Sequence, residues 1–498
     1  MTFSSIISSV SPRSNSRAST SELGFRIVAV LWVLYLFTPH KLLQYYVPET
    51  RPLTWILEIL LLAGTALLVV NGRDPGARPR GYPAFTIFFL LTVFGLAMAS
   101  VYGDLGRARE VLREIYQFYL LALLTFAYCD TSSRAKTIFK IYFWHFVYFG
   151  VWGVISLIRT PIIDGVDPGF RDIVYWHVHY GNRDAFGPLM AAGLTYSAYY
   201  FQALIPRPKA ALAGMALNLL GIITSFGRGV FLSLLAATGM MWLRAQHKGR
   251  ILAVVLASAA VMPIVAPGPT LRYAASMGTI FTEGSEKGTG ADRKVLWAWA
   301  WRVFKLNPIA GVGPLNFGIA VFDVVSPQEA AQHEYTRNRL YGRVLHSMPM
   351  TILCEYGILG VLAMLFLIGD FLRTNAAIRR VGRDETAVVA GFTPGYVTAI
   401  GFGLQCAFIT ICINSVFYEI LYTSILWYLI TINRLLYFAC GADAPAPNSA
   451  PTPSPRVGEG WGGRTLATRR GPAESRDPET RGTASQVAKF PRLRGMFS

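Results

Sequence analysis

Apolar runs separated by short polar stretches recur along this chain. They fall at about 24–38, 53–71, 82–101, 114–129, 138–158, 184–201, 210–225, 229–243, 250–266, 347–369, 388–412 and 417–437. A helix needs about 20 residues to cross about 30 Å of hydrocarbon, and most of these runs approach that length. They are continuous, not alternating, which excludes a membrane barrel and leaves helices as the way to satisfy the backbone in lipid. The pattern predicts an all-α, polytopic membrane protein of about twelve transmembrane helices, with one helical membrane domain over 24–438. A large polar loop at 266–345 interrupts the series. Inside it, 293–305 predicts a short amphipathic helix, ended by Pro308 and the glycines that follow. Its residues Leu296, Trp297, Trp299, Ala300 and Val303 suit a membrane interface, so this helix is expected along the bilayer surface. The flanks, 1–23 and 439–498, are expected to be disordered. The first is Ser-rich and lacks the apolar stretch of a cleavable signal. The second is rich in Pro, Gly, Ser, Thr and Arg and too poor in large apolar residues to form a core; its basic residues could touch anionic lipid heads.

Composition agrees: 53% of the 498 residues are hydrophobic and 15% charged, against about 25% charged in soluble domains. The net charge of +18 does not point to nucleic acid, because the basic residues lie mostly in short loops between apolar runs. Loops 72–81, 130–140, 202–211, 244–250 and 370–387 hold 15 Lys and Arg in 56 residues. Loops 38–52, 102–113, 159–183, 226–229 and 413–418 hold 9 in 62. Cytoplasmic loops carry the excess of Lys and Arg. Both termini are therefore expected in the cytoplasm and the 266–345 loop outside. The five cysteines, Cys129, Cys354, Cys406, Cys412 and Cys440, lie in or beside apolar runs, with no disulfide framework or metal spacing.

Several residues that could carry chemistry converge on the expected outer face. His346 opens the tenth run. It could accept a proton from a hydroxyl, although position alone favours an interfacial histidine bonding a backbone carbonyl. Arg228 sits in the tight turn Thr224-Ser-Phe-Gly-Arg228-Gly229. Its guanidinium could hold a diphosphate through two parallel hydrogen bonds, or it could reach out to lipid phosphates. Arg183 opens the sixth run beside Asp184, a ready partner, and Arg293 opens the loop helix, where anions are favoured. A surface or capping role suits either of these two taken singly. His177 and His179 have no carboxylate companion at metal spacing and are expected on the surface. Glu355 lies nine residues past His346 and points away from it, so a buried helix–helix hydrogen bond is expected. The outer loops lack an Asp-x-Asp or Glu-x-Asp pair. Phosphate charge would then fall to arginine, and no metal or cofactor is expected. Together these residues suggest an enzyme acting on a lipid-linked anionic substrate.

The order of the pieces carries a resemblance. Arg293 is followed by Trp297, then Pro308, then Gly311-Val-Gly313-Pro-Leu-Asn-Phe317, then His346-Ser347 before a run holding Glu355-Tyr-Gly-Ile-Leu-Gly360. Over roughly 180–370 this resembles the O-antigen ligase and O-antigen polymerase superfamily. Two positions depart from that family's usual pattern: Gly227 stands where serine precedes the turn arginine, and Ser347 where asparagine follows the histidine.

The resemblance implies a metal-independent, inverting glycosyltransferase of the bacterial inner membrane, related to the C-type membrane glycosyltransferases. The donor would be a glycan on undecaprenyl diphosphate. Arg228, Arg293 and Arg183 would bind its diphosphate and His346 would be the catalytic base. As a ligase the protein would use lipid A–core as acceptor; as a polymerase, another repeat unit; protein O-glycosylation shares the scaffold. A reading from another class is a transporter of lipid-linked sugars, which would place polar groups near the midplane on repeated, broken helices.

Overall fold

The computed structural model describes residues 12–38, 54–70, 82–162, 183–203, 208–225, 228–244, 289–333, 343–384 and 391–442, with a few isolated positions between them. Among the described residues the secondary structure is helical, with no strand. The longer helices are α1 (Pro12–Phe37), α2 (Thr54–Val70), α3 (Pro83–Tyr102), α4 (Leu105–Tyr128), α5 (Ser132–Ile162), α6 (Arg183–Ala203), α7 (Pro208–Ser225) and α8 (Arg228–Arg244). The loop region contributes α9 (Thr289–Leu306) and the short α10 (Phe317–Ala320) and α11 (Pro327–Gln332). Then follow α12 (Met348–Val381), α13 (Pro394–Ser415) and α14 (Ser424–Ala439). A helix lies over every apolar run read from the sequence except 250–266, of which only residues 256 and 260 are described. Four helical segments among the described residues are long and apolar enough to cross a membrane: Pro83–Tyr102, Ser132–Ile155, Met348–Val381 and Pro394–Ser415.

The helices pack around one large apolar core that draws on α1 to α8 and α12 to α14. α13 packs against α6, α8 and α12, while α12 also meets α3, α9 and α14. α1 begins at Pro12, inside the stretch 1–23 that was expected to lack structure. Side-chain partners hold its later turns: Arg134 of α5 donates to Ser21 at 2.9 Å and to Glu22 at 3.0 Å. Residues 443–498 of the tail are outside the described residues, as are His177 and His179.

The loop has a core of its own. Leu296, Trp299, Ala300 and Val303 of α9 are buried against Val312, Phe317, Val321, Tyr335, Leu340 and Leu345. This corrects the expectation that α9 lays these residues on the bilayer surface. Trp299 is only 2% exposed, whereas Trp301, on another side of the helix, is 47% exposed. The apolar stripe faces protein because the loop supplies enough apolar surface to cover it. An ion pair helps close the unit: Arg302 meets Glu329 at 2.8 Å, and Trp299 Nε1 donates to the same carboxylate at 3.1 Å.

Candidate active site at the loop end of the bundle

α12 is a broken helix, and the break positions the site. Gly357 has φ 64 and ψ −157 inside it, a conformation that favours glycine. A break removes partners from backbone groups on both sides, which is costly at membrane depth unless they are paired again. The loop re-pairs them. Ile358 and Leu359 donate their N–H groups to Pro308 O at 2.8 Å and Ile309 O at 3.1 Å. Cys354 O and Glu355 O accept from Val312 N at 3.2 Å and Gly313 N at 2.9 Å.

The Gly-Val-Gly-Pro motif thus closes a helix break. Gly313, at φ 91, lies so close to α3 that a side chain there would meet Ala99 N at 2.7 Å. Pro314 lies against Gly95 of the same helix. Asn316 Oδ1 accepts from Asp104 N at 2.5 Å, which ties the motif to the start of α4.

Glu355 sits at this joint. It is buried, and its carboxylate accepts from Leu315 N at 2.8 Å and from the Tyr422 hydroxyl. The sequence predicts a buried, hydrogen-bonded acid, and the structure shows one, but it bonds a loop amide and a tyrosine on the α13–α14 connection, not another helix. Glu419, on that same connection, was missed. It is buried, accepting from the Thr351 hydroxyl of α12 and from Leu421 N at 3.0 Å. The available signal was an acid inside an apolar run, which the sequence reading passed over.

His346 immediately precedes the N-cap residue Ser347 of α12. Its φ is 49, a left-handed conformation that costs a non-glycine residue about 1–2 kcal/mol. The neighbours on each side fix that bend. Leu345 is buried in the loop core, and its carbonyl accepts from Trp297 Nε1 at 3.0 Å. Ser347 O accepts from Thr351 N at 2.9 Å as the helix begins. His346 is half-buried, with its Nδ1 enclosed.

Arg293 is half-buried and lies four residues, about one helical turn, before Trp297. The two therefore share a face of α9, and the Trp297–Leu345 bond brings that face to the residue beside His346. α9 starts at Thr289, so Arg293 lies a turn inside the helix and not at its N-terminus. Arg228 and Arg183 are the first residues of α8 and α6; their side chains are outside the described residues. The backbone at Arg228 is nonetheless placed. A side chain at the next residue, Gly229, would meet Asn414 Nδ2 at 3.3 Å and Phe417 Cβ at 3.5 Å. The start of α8 therefore abuts the end of α13 and the connection that carries Glu419. Among the described residues no three His, Cys, Asp or Glu side chains are grouped to hold a metal ion. The cysteines are free thiols.

This arrangement puts His346, the start of α8 at Arg228 and the arginine-bearing loop helix α9 around one end of the bundle. Residues 213–365 match the family model described as O-antigen ligase. A search of curated proteins finds no match. The matched stretch contains Arg228, Arg293 and His346, together with both sides of the α12 break, while Arg183 and Glu419 lie outside it. Over residues 213–365 this multi-pass helical membrane protein is therefore similar to the O-antigen ligase family.

Proposed function

We propose that the protein transfers a glycan from undecaprenyl diphosphate to an acceptor hydroxyl at the periplasmic face of the inner membrane, as an O-antigen ligase with lipid A–core as acceptor. The observation that carries this reading is the joint between α9 and His346. One hydrogen bond, Trp297 to Leu345, couples the Arg293 helix to the residue beside the histidine, inside the stretch that matches the family. In the reaction, His346 takes the proton of the acceptor hydroxyl. The acceptor oxygen attacks the anomeric carbon as the bond from that carbon to the diphosphate oxygen breaks, and the configuration inverts. Negative charge grows on the leaving diphosphate. Arg228, Arg293 and Arg183 stabilise it there, where fixed cations act most strongly. Arg228 and Arg183 each head a helix, and the first-turn N–H groups add to the attraction for an anion. No metal or cofactor is needed for these steps. The apolar runs support twelve spans, and the charge asymmetry of the short loops supports cytoplasmic termini and a periplasmic loop at 266–345.

Membrane vesicles supplied with a labelled lipid-linked glycan and lipid A–core test this reading. The expected result is a new glycosidic product that still forms in EDTA. Relocation of the donor without product would mean a transporter, and loss of product in EDTA restored by magnesium would overturn the arginine-based mechanism. A deletion strain separates the two family activities. Polymer left on the carrier marks a ligase; single repeats left on the carrier mark a polymerase.

A further inference from the structure

Glu419 occupies a connection that touches two separate parts of the candidate site. Through its carboxylate it holds Thr351, five residues past His346 and about 7.5 Å further along α12. Through its own segment it meets α8, because Phe417 and Asn414 lie against Gly229, next to Arg228. Leu421 N donates to the other carboxylate oxygen at 3.0 Å, so the connection folds back onto the same group. A buried acid is costly unless it is bonded. Here the carboxylate bonds α12, which follows directly on His346, and the backbone of the connection that abuts the start of α8.

In a direct displacement the attacking oxygen and the leaving diphosphate stand on opposite sides of one carbon. The distance between the base and the diphosphate grip is then a condition of the reaction, and a misplacement of about 1 Å can cost about 10²-fold in rate. We propose that Glu419 is a positioning residue for this transfer, setting through Thr351 the spacing between His346 at the start of α12 and Arg228 at the start of α8. The inference rests on the function proposed above. Glu419 and Thr351 touch neither donor nor acceptor in it; they act through the two helix starts.

The test uses the full-length protein in proteoliposomes. The probe is a polyprenyl-diphosphate-linked oligosaccharide prepared from cells that make the protein and radiolabelled in its sugar, supplied together with lipid A–core as acceptor. Glu419→Ala and Thr351→Val are each expected to lower kcat by about ten- to a hundredfold, with the donor KM changed less than about twofold. The double variant should be no slower than the slower single, because both changes break one link. Glu419→Gln and Thr351→Ser keep a bonding group at each position and should recover most of the rate. A part that only supports folding would lose rate in proportion to folded protein, so kcat is taken per folded molecule, from the amplitude of thermal unfolding. A fully active Thr351→Val, or losses that multiply in the double variant, would overturn the proposal. Should Glu419→Ala fail to fold, the contrast between Thr351→Val and Thr351→Ser decides. Wild-type protein that binds the probe but forms no glycosidic product removes the function and this inference together. Active wild type with indifferent variants removes the inference alone.

Discussion

The two ends of the helix bundle both carry acids, and they partner them differently. At the end away from the loop, arginine meets acid. Arg134 bonds Asp130 at 2.9 Å, Glu22 at 3.0 Å, the Ser21 hydroxyl and the Tyr128 carbonyl. Arg434, 7% exposed, meets Asp370 at 3.2 Å. These groups satisfy one another, and the result is a join between helices. At the loop end the two buried acids meet hydroxyls and backbone amides: Glu355 takes Tyr422 and Leu315, and Glu419 takes Thr351 and Leu421. Those acids are satisfied without an arginine. The difference separates a frame from a site. Charge pairs that close on themselves hold the fold, while the starts of α8 and α6 are where the proposed function puts the donor diphosphate.

The sharpest way to break this contrast is to remove the proposed base. His346→Ala should lower turnover by about 10²–10⁴-fold while still binding the lipid-linked donor, the usual range for a general base. Arg228→Lys should lower turnover by about 10²-fold, because a point charge cannot replace two parallel bonds to a diphosphate. Donor binding and turnover measured side by side check both, and a fully active His346→Ala at normal expression removes the histidine from the mechanism.

The helix break gives the next largest effect. Gly357→Ala forces a side chain into a left-handed conformation, and its Cβ would collide with the Ile309 carbonyl. The expected cost is about 1–3 kcal/mol from the backbone alone, before that contact is counted. Hydrogen exchange should report it locally. The amides of Ile358 and Leu359, protected by Pro308 and Ile309 in the native protein, should exchange faster, and the loop should become easier to cleave. Unchanged protection at those two amides would show that the motif is not what closes the break.

The opposite end supplies the control. Arg134→Ala leaves Asp130 and Glu22 without this partner and should lower the thermal midpoint, with kcat per folded molecule unchanged. A loss of kcat in that variant, with the thermal midpoint intact, would collapse the distinction between the two ends.

The smallest expected effect lies at the rim of the loop. Tyr341 donates to Asp104 at 2.6 Å, and Arg107 stacks over the tyrosine ring at 4.1 Å. The Tyr341 hydrogen bond, then the Gly106 N–H, hold the Asp104 carboxyl below its ordinary value. A carboxyl so lowered stabilises the fold above its unfolded pKa, and that contribution is lost as pH falls through the folded value. Tyr341→Phe should therefore bring the acid-side loss of stability to a slightly higher pH. Asp104 is partly exposed, so the shift is small. Thermal midpoints taken between about pH 3 and pH 6 would show it, and superimposable curves would exclude it.

What the sequence determined by itself is what depends on near neighbours in the chain. Runs of apolar residues needed no partner to be recognised as helices, since lipid demands that a segment satisfy its own backbone. The order from Arg293 and Trp297 through the Gly-Val-Gly-Pro motif to His346 was legible for the same reason, and the family match over 213–365 contains it. Tertiary structure decided what those pieces touch. The motif closes a break some forty residues later in the chain, because amides at 358 and 359 lost their own helix partners and found carbonyls at 308 and 309. α9 turned its apolar stripe into protein because segments as distant as Val325 and Leu345 came back to cover it. Glu419 was unreadable as part of a site, since what matters about it is its bond to Thr351, 68 residues away. Periodicity reports how a segment meets its surroundings in general. Which atoms fill those surroundings is a matter of long-range pairing, and no local pattern contains it.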